Sequence, residues 1–408
     1  MRVGRPRRLF KLALVLFVAL LVTQTPFIYH RYQLGRLAAT IRQLNAQRAV
    51  SADDAYADFQ GALHVHSSLG GHSTGTLAEI IQAAKANSLA FVVMTEHPAA
   101  DMDTAAQTLS GVHGGVLFVA GSETSESADD RLLTIGRDAH TPAAPPGAST
   151  QDLIEQAKRA GQLVFVAHPE TFRSWQTARG FDGMEVYNLH ADAKRVNRLA
   201  LFFDGLWSYR AYPHLLWTRF HEAPAENLRR WDELTAQARR VVAVAGNDAH
   251  ANVGLSLQQL TGRPLLQLKL DPYERSFQVV RTHVLVARGQ PLNADTLLSA
   301  LAAGHAYVAF DLLCDATGFR LTAANGPEQR LMGDEIELRD GVRLRVRVPV
   351  ESRIVLVKDG AKFAEAAGRQ NEWTVRQPGV YRVECYLPQL PAPLARQPWL
   401  ISNPVYVR

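Results

Sequence analysis

The sequence predicts an α/β domain of repeated strand-helix units, preceded by a membrane-crossing helix and followed by a small all-β sandwich. Three observations predict it: a basic N-terminus that runs into an apolar stretch, short β-branched runs alternating with helical periods through the middle of the chain, and Gly-punctuated alternation beyond residue 312. At 408 residues the chain is longer than a usual single domain and has ample apolar content for a core.

Arg2, Arg5, Arg7, Arg8 and Lys11 precede the apolar run Leu12 to Val22, which extends more softly through Pro26, Phe27 and Ile28. Leu12 to Tyr29 is about long enough to cross a bilayer. No Ala-x-Ala cleavage pattern follows, so residues 1–29 read as an uncleaved signal anchor rather than a removed signal peptide. The basic end stays in the cytoplasm by the positive-inside rule, which expects a single-pass protein of the inner membrane with its body on the periplasmic side. In residues 30–55, Leu, Ala and Ile alternate with Arg and Gln at helical spacing. This segment is expected to be a juxtamembrane helical linker that lifts the body off the bilayer. The formal charge of +5 comes from this end, because residues 1–50 hold nine basic side chains and no acid, leaving 35 basic against 39 acidic beyond them. A slightly acidic body without a basic stripe excludes nucleic acid as the partner.

Residues 56–312 form the middle domain, with strands expected at 91–95, 116–120, 132–136, 163–167, 183–187 and 241–245 and helices at 76–87, 150–160, 226–240 and 293–303. Such units surround a parallel sheet or a barrel. Residues 313–408 alternate as strands at 342–350, 353–357 and 380–386 and carry no chelating cluster. The two cysteines, Cys314 and Cys385, provide no thiolate framework for zinc, so any metal rests on imidazole and carboxylate; a disulfide between them is permitted but not fixed.

Nearly every expected strand of the middle domain ends in a metal-type residue. His64 and His66 follow Ala62 and Leu63, Glu96 and His97 follow Phe91 to Thr95, and Glu123 follows Val116 to Gly121. His168 follows Leu163 to Ala167, and Asp248 and His250 follow Val241 to Gly246. In a β/α barrel those ends converge on one face. Alternate residues of His64-Val65-His66 point to one side of a strand, so both imidazoles can reach one ion. Two neighbouring cations repel and need a shared anion, which Glu123 or Asp248 can supply.

These residues resemble the polymerase-and-histidinol-phosphatase (PHP) family over about residues 60 to 312. The motifs are His64-Val65-His66, Thr95-Glu96-His97, Gly121-Ser122-Glu123, His168-Pro169 and Asn247-Asp248-Ala249-His250. The resemblance implies a distorted (β/α)7-type barrel holding two or three divalent ions, Zn, Mn or Fe. It implies that His64, His66, Glu123 and Asp248 hold one metal, that Glu123 bridges to a second held also by His168, and that His72, His97 and His250 hold a third. Arg131 stands where the family usually has a histidine; His140 could reach in from the following loop, or Arg131 could contact an anionic substrate. Two C-terminal segments, Gly379 to Glu384 and Pro398 to Pro404, look like the β-domain endings of the carbaryl-hydrolase-like branch.

The function expected is hydrolysis of a phosphate ester by a metal-bound hydroxide, with a small anionic, phosphorylated substrate, Asp248 essential, and Arg131 or Arg173 as the substrate clamp. Carbamate, ester or amide hydrolysis at the same centre is the alternative, and a non-catalytic metal- or ligand-binding module is the third reading. His113, His190, His214, His221, His283 and His305 match no motif and read as structural or surface groups. The aromatic stretch Phe202 to Trp217 reads as core packing, with a pocket wall or a membrane-facing surface as its alternatives.

Overall fold

A computed structural model describes residues 5–408 except 52–54, 100–101, 126–128, 137–146, 194–196, 238, 253, 259–263 and 270. His140 therefore lies outside the described residues. One helix runs unbroken over Arg5–Ala46 with Pro26 inside it, so the expected anchor and linker segments are a single rod. Its second half is no spacer. Leu34, Leu37, Ala38 and Leu44, spaced by helical turns, are buried in the main core. Each buried leucine contributes on the order of 2 kcal/mol, which draws the rod onto the body instead of away from it. Arg48 closes the junction with a 2.7 Å ion pair to Asp315.

Eight strand segments build the barrel: β1 (Tyr56–Val65), β2 (Phe91–Met94), β3 (Val116–Val119), β4 (Gly121–Ser125), β5 (Arg131–Ile135), β6 (Leu163–Ala167), β7 (Gly183–Asn188) and β8 (Val242–Ala249). The second half of β1 lies between β2 and β8, parallel to both. Parallel pairing continues from β8 to β7 and from β7 to β6. β5 runs antiparallel to both β6 and β4, and the Glu96–Ser122 bridge closes the ring back to the end of β2. The reversed β5 distorts the barrel.

Local signals set the helices. Thr76 and Glu79 form a capping box for Leu77–Ala86, Ser149 and Asp152 another for Thr150–Arg159, and Asn293 caps Ala294–Ala303, which Gly304 ends at φ 73°. The helix expected at 226–240 spans Ala225–Ala236. A helix at Arg198–Ser208, within the aromatic stretch, was not expected.

The C-terminal strands are hydrogen-bonded to the sheet of the middle domain. β9 (Arg281–Ala287) pairs with the first half of β1, β10 (Ala306–Ala309) pairs with β9, and Leu400–Ser402 pairs with β10. Through Leu400–Ser402 the long antiparallel strands Gly379–Tyr386, Val342–Lys358 and Ala361–Val375 join the same sheet. Barrel residues such as Val164 and C-terminal residues such as Val383 share one core. Cys314 and Cys385 are separate buried thiols.

Candidate metal centre

The strand-end chelators meet at the C-terminal mouth of the barrel. Glu123 Oε2 lies 3.4 Å from Nε2 of each of His64, His66 and His97, while its Oε1 lies 3.5 Å from His168 Nε2. Asp248 Oδ1 is 3.5 Å from His64 Nε2 and from His66 Nε2, and its Oδ2 is 3.5 Å from His168 Nε2. These separations are long for hydrogen bonds. Two ligand atoms at tetrahedral angles, each about 2.1 Å from one ion, stand roughly 3.4 Å apart. His64 Nε2, both ring nitrogens of His66, His168 Nε2 and Glu123 Oε2 are buried without a hydrogen-bond partner. Buried polar atoms are normally paired, so orphaned atoms aimed at one another fit a cation between them.

Four overlapping groups could hold ions: His64, His66 and Asp248; His64, Glu123 and His168; His66, His97 and His250; and His190, Asp248 and His250. Glu123 presents one oxygen to each side, the arrangement a bridging carboxylate needs. Two members of the third expected set, His97 and His250, meet at the mouth. His72 is exposed, its ring 4.8 Å from that of His97, and His66 rather than His72 completes the group with His97 and His250.

Backbone strain marks the same residues. His64, His168 and Asp248 adopt φ of 64°, 47° and 47°, a left-handed conformation costing on the order of 1–3 kcal/mol per residue. At His64 the ladder of β1 slips against both β2 and β8. A bulge, and not plain alternation, is therefore what turns His64 and His66 onto the same carboxylates.

Burial disfavours a charged His64, but Glu185, Asp248 and Glu123 outweigh it and raise its pKa well above the ordinary imidazole range. Burial likewise opposes ionised Glu123 and Asp248, yet His64 and its neighbours hold both carboxyls well below the usual range. Burial opposes a charged His168, but the carboxylates of Glu123, Glu170, Asp248 and Glu185 around it outweigh that and lift it to about 10. Burial pushes His66 down to about 3 and His97 to about 4, leaving both neutral. The cluster thus draws in positive charge, and divalent ions supply it while leaving the imidazoles free to coordinate.

Two residues here escaped the sequence reading. Glu185 in β7 is fully buried and accepts from His64 Nδ1 at 2.6 Å, from the His168 amide at 3.2 Å and from Asn188 Nδ2 at 3.0 Å. It sets the His64 tautomer so that Nε2 faces the cluster. A Cβ on Gly246 would stand 1.8 Å from Glu185 Oε1, so the neighbouring strand must carry glycine there. His190 follows the end of β7, the same position that marks the other ligands.

The remaining expected residues divide. Glu96 is structural: its Oε2 accepts from the Ser67 amide and its Oε1 from Thr108. Arg131 donates from Nη1 to Glu123 Oε1 at 3.1 Å, so it occupies the edge of the cluster. Arg173 is exposed and paired with Asp129 at 2.6 Å, not with a member of the cluster.

No family model matches the chain, and no curated protein matches it. Among solved structures, it is similar to a two-domain protein from Bacteroides vulgatus containing a predicted PHP-like metal-dependent phosphoesterase, at 15% identity, TM-score 0.41, covering 88% of this chain and 98% of that one. It is also similar to an amidohydrolase from Chromobacterium violaceum, at 17% identity and TM-score 0.27 over 47% of this chain and 87% of that one. A third likeness is to a protein from Bifidobacterium adolescentis named for a proposed metal-dependent phosphoesterase activity, at 14% identity and TM-score 0.26 over 56% and 96%. With identities of 17% or less and scores under 0.5, these structures lend this chain no substrate or mechanism.

Proposed function

We propose that the chain is a membrane-anchored, metal-dependent hydrolase of phosphoric esters, its body on the extracytoplasmic side of the inner membrane. The observation that carries the reading is the set of buried, unpartnered ligand atoms on His64, His66, His168 and Glu123. Divalent ions, Zn, Mn or Fe, would supply Lewis-acid charge for phosphoryl oxygens and acidify an attacking water. His64, His66, Asp248, Glu123 and His168 would hold two of them, and His97 and His250 with His66 a third. Glu185 keeps His64 oriented. Arg131 sets a permanent cation beside Glu123, which suits an anionic substrate better than a neutral carbamate, ester or amide. The carbaryl-hydrolase-like resemblance of the C-terminal segments does not alter that choice. The burial of Leu34, Leu37 and Leu44 in the body supports a retained anchor over a cleaved signal, because the apolar run and the docked turns are one helix.

The test uses the full chain in detergent, purified without chelator, beside His66→Ala. More than one metal ion per chain, with phosphomonoesterase or phosphodiesterase turnover lost in the variant, is expected. Turnover of carbamate or amide substrates alone would move the reading to carbonyl chemistry. Bound metal without turnover on any class would make the chain a binding module, and metal-free, inactive protein would sink the proposal.

A further inference from the structure

Outside the first helix, the described residues expose few large apolar side chains, and four of the seven sit on the Arg198–Ser208 helix: Leu199 at 70%, Phe202 at 52%, Leu206 at 65% and Trp207 at 37%. Leu199, Phe202 and Leu206 follow one another at helical spacing on one face. The opposite face is fixed to the body. Asp204 is buried and pairs with Arg219 and, at 3.0 Å, with His30 of the first helix.

The contacts between the two helices also fix a depth. Trp207 Nε1 donates to Gln24 Oε1 at 3.0 Å, Arg31 donates to the Trp207 carbonyl, and the rings of Phe27 and Phe203 lie 5.3 Å apart. All of these fall on Gln24–Arg31, the last turns of the apolar run and the point where a span beginning near Leu12 leaves the hydrocarbon. Tyr29 and Tyr32, both exposed, stand on the same turns of the first helix as Arg31, which bonds to Trp207. Tyr and Trp at a span end form the aromatic belt typical of a membrane-water interface. The exposed apolar face is therefore continuous with the exposed apolar surface of the proposed anchor.

We infer that the Arg198–Ser208 helix is a second membrane contact, lying in the interface with Leu199, Phe202 and Leu206 in the outer acyl-headgroup boundary. This rests on the anchor reading above. The Leu189–Ala193 helix, which precedes it in the chain, carries His190 of one candidate metal group. An interfacial apolar face of this kind gains free energy from the apolar area it removes from water.

The experiment is nitroxide labelling of the full chain in vesicles of phosphatidylethanolamine and phosphatidylglycerol, with single labels at Leu199→Cys, Phe202→Cys and Leu206→Cys. Leu16→Cys reports the anchor and Phe363→Cys, exposed on the C-terminal sheet, reports water; the native thiols Cys314 and Cys385 are buried. The ratio of collision rates with oxygen and with a water-soluble nickel chelate is read at each site. The expected ratio at positions 199, 202 and 206 approaches that at 16 and exceeds that at 363 several-fold. Water-like ratios at these three positions with a lipid-like ratio at 16 would overturn the inference and leave the anchor standing. A water-like ratio at 16 as well would remove both. Shielding from both reagents, with spin-spin broadening, would assign the face to a second copy of the chain and overturn the inference.

Discussion

Strand β1 carries two buried histidine-carboxylate clusters, one near each end. Around Asp58, six residues and roughly 20 Å of strand before His64, His283 places Nδ1 2.9 Å from Asp58 Oδ1 and Nε2 3.0 Å from Asp311 Oδ2. Asp58 Oδ2 also accepts from Tyr307, Arg320 and the Gly318 amide, and Asp311 Oδ1 accepts from the Ala316 amide. Every oxygen of these two carboxylates is paired at hydrogen-bond distance, and none of Asp58, His283 and Asp311 has a left-handed backbone. The mouth cluster has the same residue types, but with orphaned atoms, gaps of 3.4–3.5 Å and three strained ligands. Composition alone does not separate a scaffold from a site; satisfaction does.

The sharpest test of that contrast is Asp248→Asn. Asparagine tolerates the left-handed backbone at φ 47° and keeps the volume, but loses the charge. Turnover should fall by at least about a hundredfold, more than the loss of a group that only supports a metal ligand costs, while the urea midpoint of the chelator-treated protein changes little. Retained activity would remove Asp248 from the site. His283→Ala should do the reverse. Breaking one partner of a buried ionic pair costs about 3–5 kcal/mol, yet the protein that remains folded should turn over substrate at the wild-type rate. Unfolding of the chelator-treated proteins in urea, alongside the rate per folded molecule with metal in excess, reads both. A stable but inactive His283→Ala would mean that the two clusters are coupled.

A third expectation concerns metal itself. Only the mouth cluster should bind it, so adding Zn or Mn to chelator-treated protein should raise stability by about 2.7 kcal/mol at a hundredfold excess over Kd. The gain should persist in a destabilised His283→Ala background and vanish in Asp248→Asn. Thermal shifts of the two variants, with and without metal, make the comparison.

The mouth cluster was largely legible in the sequence because its candidate ligands follow the ends of expected strands, and a strand end is a local feature. Glu185 was missed because it falls within the expected strand 183–187 and not after it, where it reads as pattern noise until Gly246 opposite makes room for it. His190 carried the same positional mark as His168 but no motif. The His283 cluster was invisible because Asp58 and Asp311 are far from it in sequence and meet it only when β9 folds against β1. The Arg198–Ser208 helix shows why an apolar stretch alone does not fix burial: Leu215, Leu216 and Trp217 enter the core as expected, while Phe202 and Leu206 face outward. The juxtamembrane segment erred the other way, its leucine spacing being a burial signal taken for a spacer.

The smallest effect is in pH. His283 is lifted to about 10, its burial opposing the charge and Asp311 and Asp58 outweighing that opposition. In the unfolded chain it titrates near about 6.5. A folded-state value above the unfolded one contributes stability that is complete below the unfolded pKa and disappears as pH rises through the folded one. Between those limits the folded protein holds one proton more than the unfolded, so stability should decline by at most about 1.4 kcal/mol per pH unit. Other groups titrate as well, so the quantity to measure is the difference between metal-loaded wild type and His283→Ala across pH 7 to 9. If the two curves run parallel, His283 is not protonated in the fold, and its cluster is a neutral hydrogen-bond network and not an ionic one.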